Sequence, residues 1–222
     1  MSGTKSNNQA RAVVLISGRG SNLESLIKNA SSYSIDAVIS NTALAGGLKI
    51  ACDNNIQTYV FERSNFHKLT DQKQAIYECV DQIKPDLLIL AGFMQIIEPE
   101  FVKKWYGRLL NIHPSLLPEL TGLDTHKRAL ELKLNTHGCT VHYLDTGVDT
   151  GPIIAHAKVS VEPDDTEETL ANRVLNKEHV IYPWVVNLVA QGEIRLENRS
   201  VVFSKVALDE VKRLNFHIPT IS

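Results

Sequence analysis

The chain has 222 residues, with 23 Lys and Arg against 25 Asp and Glu, and it is 43% hydrophobic and 22% charged. That composition suits a soluble globular protein of one large domain or two small ones, long enough to bury a sizeable core without covalent staples. A formal net charge of −2 gives no electrostatic reason to expect a general nucleic-acid or membrane-surface binder, and it favours small molecules as partners. Cys52, Cys79 and Cys139 are far apart and odd in number, without a Cys-x-x-Cys pair or finger spacing. This cysteine usage fits a reducing cytoplasm better than a disulfide framework or structural zinc. The longest apolar stretches, Leu87 to Met94 and Tyr182 to Ala190, fall well short of the ~20 residues that span a bilayer.

Residues 1–11 are polar and lack an apolar stretch of signal-peptide length, so they read as a disordered or tag-like lead-in. Ala12 to Ser17 is a short run rich in branched residues, followed by the turn Gly18-Arg-Gly-Ser-Asn22 and then the helical spacing Leu23, Leu26, Ile27, Ala30. Ile35 to Ser40 predicts a second strand, Ala45 to Asn54 a helix, Thr58 to Val60 a short strand and Asn65 to Ile83 a long helix. Asp86 to Leu90 has an unbroken apolar run with no polar alternation, which predicts a strand buried on both faces. A helix near Pro99 to Trp105 and a strand from Arg108 to His113 follow. Beyond Gly122 the texture changes. Thr125 to Leu132 predicts a helix, Cys139 to Leu144 and Ile153 to Val159 predict paired strands, and Thr166 to Gln191 a long helix with an N-cap among Asp164, Asp165 and Thr166. Ile194 to Leu196 and Val201 to Phe203 predict a last hairpin. The series implies an α/β fold, a mostly parallel Rossmann-like sheet with helices on both faces, C-terminal antiparallel strands and a long late helix. No repeat or linker divides it, so one domain over 12–203 is expected, with 204–222 as a C-terminal tail.

Three segments carry candidate chemistry. In Gly18-Arg-Gly-Ser-Asn-Leu23 a glycine turn opens a helix, which exposes backbone N–H groups to an anion such as phosphate, with Ser21 and Asn22 as side-chain donors. A dinucleotide site would have a third glycine where Leu23 stands and an acidic residue where Ser40 and Asn41 stand. A turn that merely joins strand to helix is the plain alternative. Asn111 and His113 point the same way at the C-terminal end of a predicted buried strand, where open parallel sheets place their ligands. An imidazole that changes charge near neutrality, beside an amide donor, suits proton transfer with oxyanion stabilisation; a hydrogen-bonded core histidine is equally open. In Asp145-Thr-Gly-Val-Asp149-Thr-Gly-Pro152, Asp149 is the candidate carboxylate partner of the histidine, against a reading as turn chemistry alone. His137 and His142 are an odd number of residues apart on a predicted strand and face opposite sides, so metal binding is not expected. The three cysteines read as packed. His126 with Lys127, and Lys177-Glu178-His179, read as solvated helix faces.

Ser17-Gly-Arg-Gly-Ser-Asn-Leu23, Ala91-Gly-Phe-Met94, Asn111-Ile-His-Pro-Ser-Leu-Leu-Pro118, Thr136-His-Gly-Cys-Thr-Val-His142 and Val148-Asp-Thr-Gly-Pro-Ile153 occur together in one chain. In this order and spacing the sequence resembles the phosphoribosylglycinamide formyltransferase family, from about Ala12 to at least Val202. The resemblance implies transfer of the formyl group of 10-formyltetrahydrofolate to the amine of glycinamide ribonucleotide, in cytoplasmic de novo purine synthesis, without a metal. It implies Asn111, His113 and Asp149 as the catalytic trio and Gly20, Ser21, Asn22 and Glu178 as contacts to the ribonucleotide. It implies a folate slot at Met94, Gln95, Ile96, Ile97, Asn111, Asp145, Val148 and Asp149, held mostly by backbone groups. Gln95 stands where some members have Arg, and no residue is assigned to the folate glutamate tail. The partners implied are small molecules, with no nucleic acid or membrane, for a monomer or homodimer. Formyltetrahydrofolate deformylase shares the core but carries an extra N-terminal domain, and methionyl-tRNA formyltransferase needs a further C-terminal barrel and a basic surface. A non-enzymatic folate or nucleotide binder on the same scaffold is the reading from another class, against which the complete trio argues.

Overall fold

Five short runs of branched apolar residues form parallel strands of one sheet in the computed structural model, which describes residues 9–219. They are β1 (Ala10–Ile16), β2 (Tyr33–Ser40), β3 (Gln57–Val60), β4 (Leu87–Leu90) and β5 (Leu109–His113). β6 (Thr136–Tyr143) and β7 (Ile153–Ser160) continue the sheet antiparallel, giving the order β3-β2-β1-β4-β5-β6-β7. The expected mostly parallel sheet with an antiparallel C-terminal pair is what forms. Most of the 1–11 lead-in lies outside the described residues, but its last two, Ala10 and Arg11, already belong to β1.

Alternation along the strands separates two cores. Ala12, Val14, Ile16, Leu87, Ile89, Leu110 and Ile112 face α1 (Ser21–Lys28) and α6 (Glu167–Ala190). Val13, Leu15, Leu88, Leu90 and Leu109 face α3 (Leu69–Ile83) and α4 (Pro99–Lys104), through Ile76, Val80, Phe101 and Val102. Both faces of β1 and β4 are buried, which is why these strands show no polar alternation. α6 starts at a capping box in which Thr166 accepts from the Thr169 N–H, so Thr166 rather than either aspartate is its N-cap. From α6 the buried Tyr182 hydroxyl donates to the carbonyls of Leu90 (2.8 Å) and Leu110 (3.2 Å), fixing the helix over β4 and β5.

The structure differs from the sequence expectation in several places. Cys79 and Cys139 are core, but Cys52 is exposed, because α2 (Gly47–Asp53) buries only Gly47 and Ala51. His126, on α5 (Thr125–Glu131), is not on a solvated face: its Nδ1 lies 3.1 Å from Nε2 of the buried His137. After the hairpin of β8 (Ile194–Glu197) and β9 (Ser200–Phe203), residues placed in the tail form α7 (Lys205–Leu214). α7 buries Ala207 and Val211 and accepts the Trp184 indole N–H at Glu210 (2.7 Å). Ala207, Val211 and Leu214 recur at helical spacing, while Val206 and Leu208 beside them stay exposed. Past α7, His217 exchanges backbone hydrogen bonds with His156 of β7 (2.7 and 3.0 Å).

Candidate active site

The strand order reverses between β1 and β4, and open α/β sheets bind ligands beyond the C-terminal ends of the strands at such a point. Leaving β1, the chain turns at Gly20, whose φ of +89° suits glycine and where a Cβ would collide with the Cα of Gly47. No side chain caps the N-terminus of α1 behind it, so its first N–H groups remain available to an anion. The loop after β4 is tied to this turn, since Ser17 N–H donates to the Gly92 carbonyl (3.1 Å) and Met94 N–H to Ser17 Oγ (2.9 Å). Asn22 Nδ2 donates to Glu178 Oε2 (2.7 Å), so α1 and α6 bring two of the expected ribonucleotide contacts together. Glu178 is 6% exposed, not solvated; burial pushes its pKa up and the Asn22 bond works against that shift.

On the next strands, Asn111 of β5 stands opposite His142 of β6, and His113 opposite Thr140, all on one face. The His142 Nδ1–H donates to the Tyr143 carbonyl (2.9 Å), which leaves Nε2 to accept from Asn111 Nδ2 (3.2 Å). His142 is 1% exposed, and burial lowers its pKa to about 4, outweighing the Tyr143 bond and the Asp149 charge that oppose it. The ring is therefore neutral at physiological pH and a constant acceptor for Asn111. The register shifts by one residue between Val141 and His142, a bulge of the kind that re-aims side chains beside sites.

The β6–β7 loop brings the carboxylate. Asp145 Oδ1 accepts from Gly147 N–H (3.0 Å) and Thr150 Oγ1 (2.7 Å), so this side chain closes its own turn instead of facing a ligand. Asp149, in the left-handed region at φ +54°, accepts from Gly122 N–H at Oδ2 (2.9 Å). The same oxygen lies 3.4 Å from His113 Nδ1, and Oδ1 lies 3.9 Å from His142 Nε2. His113 Nε2–H donates to the Leu120 carbonyl (2.8 Å), which also accepts from Ser115 Oγ (2.6 Å). Both ring nitrogens of His113 thus face acceptor oxygens.

Of the expected folate positions, Met94, Ile96 and Val148 present exposed apolar side chains, at 72%, 70% and 55%. Ile97 is instead part of the α3–α4 core, and Gln95 turns inward to donate to Gln72 Oε1 (2.9 Å), so neither side chain faces an opening. His137 and His142 do project to opposite faces, and among the described residues no group of three or more His, Cys, Asp or Glu is arranged around a common metal position. His142 is the site residue that sequence reasoning set aside. Its signal is the antiparallel register opposite Asn111, which becomes visible only once β5 and β6 are paired.

Comparison with known proteins matches the formyl transferase family over residues 10–186. The phosphoribosylglycinamide formyltransferase of Haemophilus influenzae is 40% identical over 202 residues, covering 89% of this chain and 95% of that protein. The one from Escherichia coli is 42% identical over 192 residues, covering 85% and 91%. The solved phosphoribosylglycinamide formyltransferase of Coxiella burnetii superposes with a TM-score of 0.83 at 42% identity, covering 88% and 94%. A formyltetrahydrofolate deformylase from Pseudomonas putida shares the fold alone, at 24% identity and a TM-score of 0.80, covering 90% and 72%. The glycine turn, the paired Asn111 and His142 and the loop that carries Asp149 to His113 stand within the matched segment, and this chain belongs to the phosphoribosylglycinamide formyltransferase family.

Proposed function

We propose that the protein transfers the formyl group of 10-formyltetrahydrofolate to the primary amine of N1-(5-phosphoribosyl)glycinamide, giving the formylglycinamide ribonucleotide and tetrahydrofolate in purine biosynthesis. The observation that carries this reading is the convergence of His113 and Asp149, at 3.4 Å, beside Asn111 on the strand end. An amine attacking a formyl carbon places negative charge on the formyl oxygen and needs a proton removed from nitrogen and one delivered to the departing folate nitrogen. Asn111 Nδ2 and the Nδ1–H of His113, the ring N–H not committed to Leu120, supply donors for the oxygen, and that Nδ1 proton serves the leaving nitrogen. Asp149, through a water held beside it, takes the proton from the amine and keeps His113 oriented. The turn at Gly20, Ser21 and Asn22 receives the ribose phosphate, and Glu178 the ribose hydroxyls. The backbone of residues 94–97 and the loop from Asp145 through Val148 to Asp149 enclose the pterin, with Met94 and Ile96 at its rim. Both substrates are small and carry no metal requirement, and the reaction belongs to the cytoplasm. We further infer a single transfer domain, its expected bounds of 12 and 203 widened by the start of β1 and by α7, which pack with the same core.

The test is folate deformylation followed spectrophotometrically, with and without the ribonucleotide. Formyl release that requires the ribonucleotide is the expected result. Release to water without it would establish a deformylase, and no release in either condition would leave a binding protein on this scaffold.

A further inference from the structure

His113, Thr140 and His156 form one row across β5, β6 and β7, because His113 pairs with Thr140 and Thr140 with His156. All three side chains hold the backbone of the loop between β5 and α5. Thr140 Oγ1 donates to the Ser115 carbonyl (2.6 Å) and accepts from Leu117 N–H (3.0 Å). His156 Nε2–H donates to the Leu117 carbonyl (3.0 Å), and His113 Nε2–H to the Leu120 carbonyl (2.8 Å). Leu117 and Leu120 are 3% and 4% exposed, so a carbonyl freed here has little access to water.

We propose that His156 is a positioning residue for formyl transfer, fixing the loop whose Leu120 carbonyl orients the His113 imidazole, and that the C-terminal segment holds His156 in register. The inference rests on the role given to His113 above. β7 is the edge strand of the sheet, and on its open side His156 exchanges both backbone hydrogen bonds with His217. The segment bearing His217 is anchored by α7, with Phe216 packed on Trp184 at a ring-centroid distance of 5.0 Å and Ile218 against the α6 core. A chain of contacts therefore runs from the docked C-terminal segment to β7, through the His156 ring to Leu117, and along three residues of loop to Leu120. Burial lowers the His156 pKa, so the ring stays neutral, with its single proton on the nitrogen that faces Leu117.

His156→Leu removes the donor, and His156→Gln offers an amide N–H at similar reach. His217→Pro leaves the His156 ring intact but deletes the N–H donated to the His156 carbonyl. Each variant is assayed for kcat and for KM of both substrates, and the His113 ring is followed by nitrogen-edited NMR of the free full-length chain. A lost neutral hydrogen bond predicts a fall in kcat of about five-fold for His156→Leu, with KM values held within about two-fold and the His113 resonances displaced. His156→Gln restores both signals, and His217→Pro moves them in the same direction by less. An unchanged His113 spectrum with wild-type kcat per folded molecule, even with a lowered melting temperature, would overturn the proposal. The spectra need no turnover, so a wild-type chain without transferase activity would refute the formyl-transfer reading, while the His113 resonances would still judge the coupling.

Discussion

Replacing His142 by Leu tests whether Asn111 depends on a neutral partner. In the native site the only protein hydrogen bond to the Asn111 amide among the described residues comes through Nδ2 to His142 Nε2, at 3.2 Å. That bond selects the amide orientation with nitrogen toward β6, leaving the second N–H of the same group for the formyl oxygen. Complete loss of an oxyanion donor costs roughly 10²–10³ in kcat, the expectation for Asn111→Ala. His142→Leu keeps Asn111 and removes only its orientation, worth about 1 kcal/mol for a neutral bond, so kcat falls by about five-fold. Single-turnover transfer with saturating ribonucleotide and formyl-folate measures the step directly. Because the wild-type ring stays neutral down to about 4, the ratio of wild-type to variant rate is constant through the neutral and alkaline range. A variant as slow as Asn111→Ala would mean that His142 itself touches the reacting atoms. A variant as fast as wild type would mean that Asn111 is oriented by something else.

Gly20→Ala forces a side chain into a left-handed turn and against the Gly47 backbone; a cost of about 1–3 kcal/mol should lower the melting temperature and raise KM for the ribonucleotide. Glu178→Gln retains an acceptor for Asn22 but loses the charge, so KM for the ribonucleotide should rise by about five- to ten-fold with kcat little altered; a change in kcat alone would remove Glu178 from ribose binding. His137 and His142 have pKa values lowered by burial from the ordinary 6.5 to about 4. Both are neutral above 6.5 in either state; below it the unfolded chain takes up protons that the native chain refuses, so stability falls as pH drops toward 4. Each imidazole contributes up to about 1.4 kcal/mol per pH unit in that window. Urea unfolding across this range should show the loss, and His142→Leu should shallow it; a pH-independent midpoint would contradict the buried neutral state.

The parallel sheet was legible because its strands are apolar on both faces, as in Leu87 to Leu90, and each is separated by a helical stretch of 3.6 periodicity. The glycine turn was legible too, since Gly20 sits directly between an apolar strand and an apolar helix face. Cys52 misled because the buried stripe of α2 runs through Gly47 and Ala51, and Cys52 lies one residue off it, facing out. His126 and Glu178 misled for another reason. Each meets a partner on another element, His137 on β6 and Asn22 on α1, and polar residues on amphipathic helices look solvated until that partner is placed. His142 and His156 needed strand register, which a single sequence does not encode locally. Gln95 was placed by analogy of position, but its orientation is set by Gln72 on α3, whose Nε2 is already committed to the Asn41 and Phe61 carbonyls.

The reversal of strand order between β1 and β4 divides the labour of the molecule in space. Groups that would grip the acceptor meet on one side of the sheet's midpoint, beyond β1, where Asn22 at the start of α1 reaches Glu178 on α6, a helix that itself crosses over β4 and β5. Those that would handle formyl carbon and proton hang from β5, β6 and their loop on the other. Mutations that retune which amine is accepted can therefore accumulate without touching the transfer chemistry, and the scaffold can drift between acceptors, water included, while its proton-handling half stays fixed. Laboratory selection for a new acceptor should accordingly enrich substitutions around residues 17–22 and the first half of α6, and leave β5 and β6 unchanged.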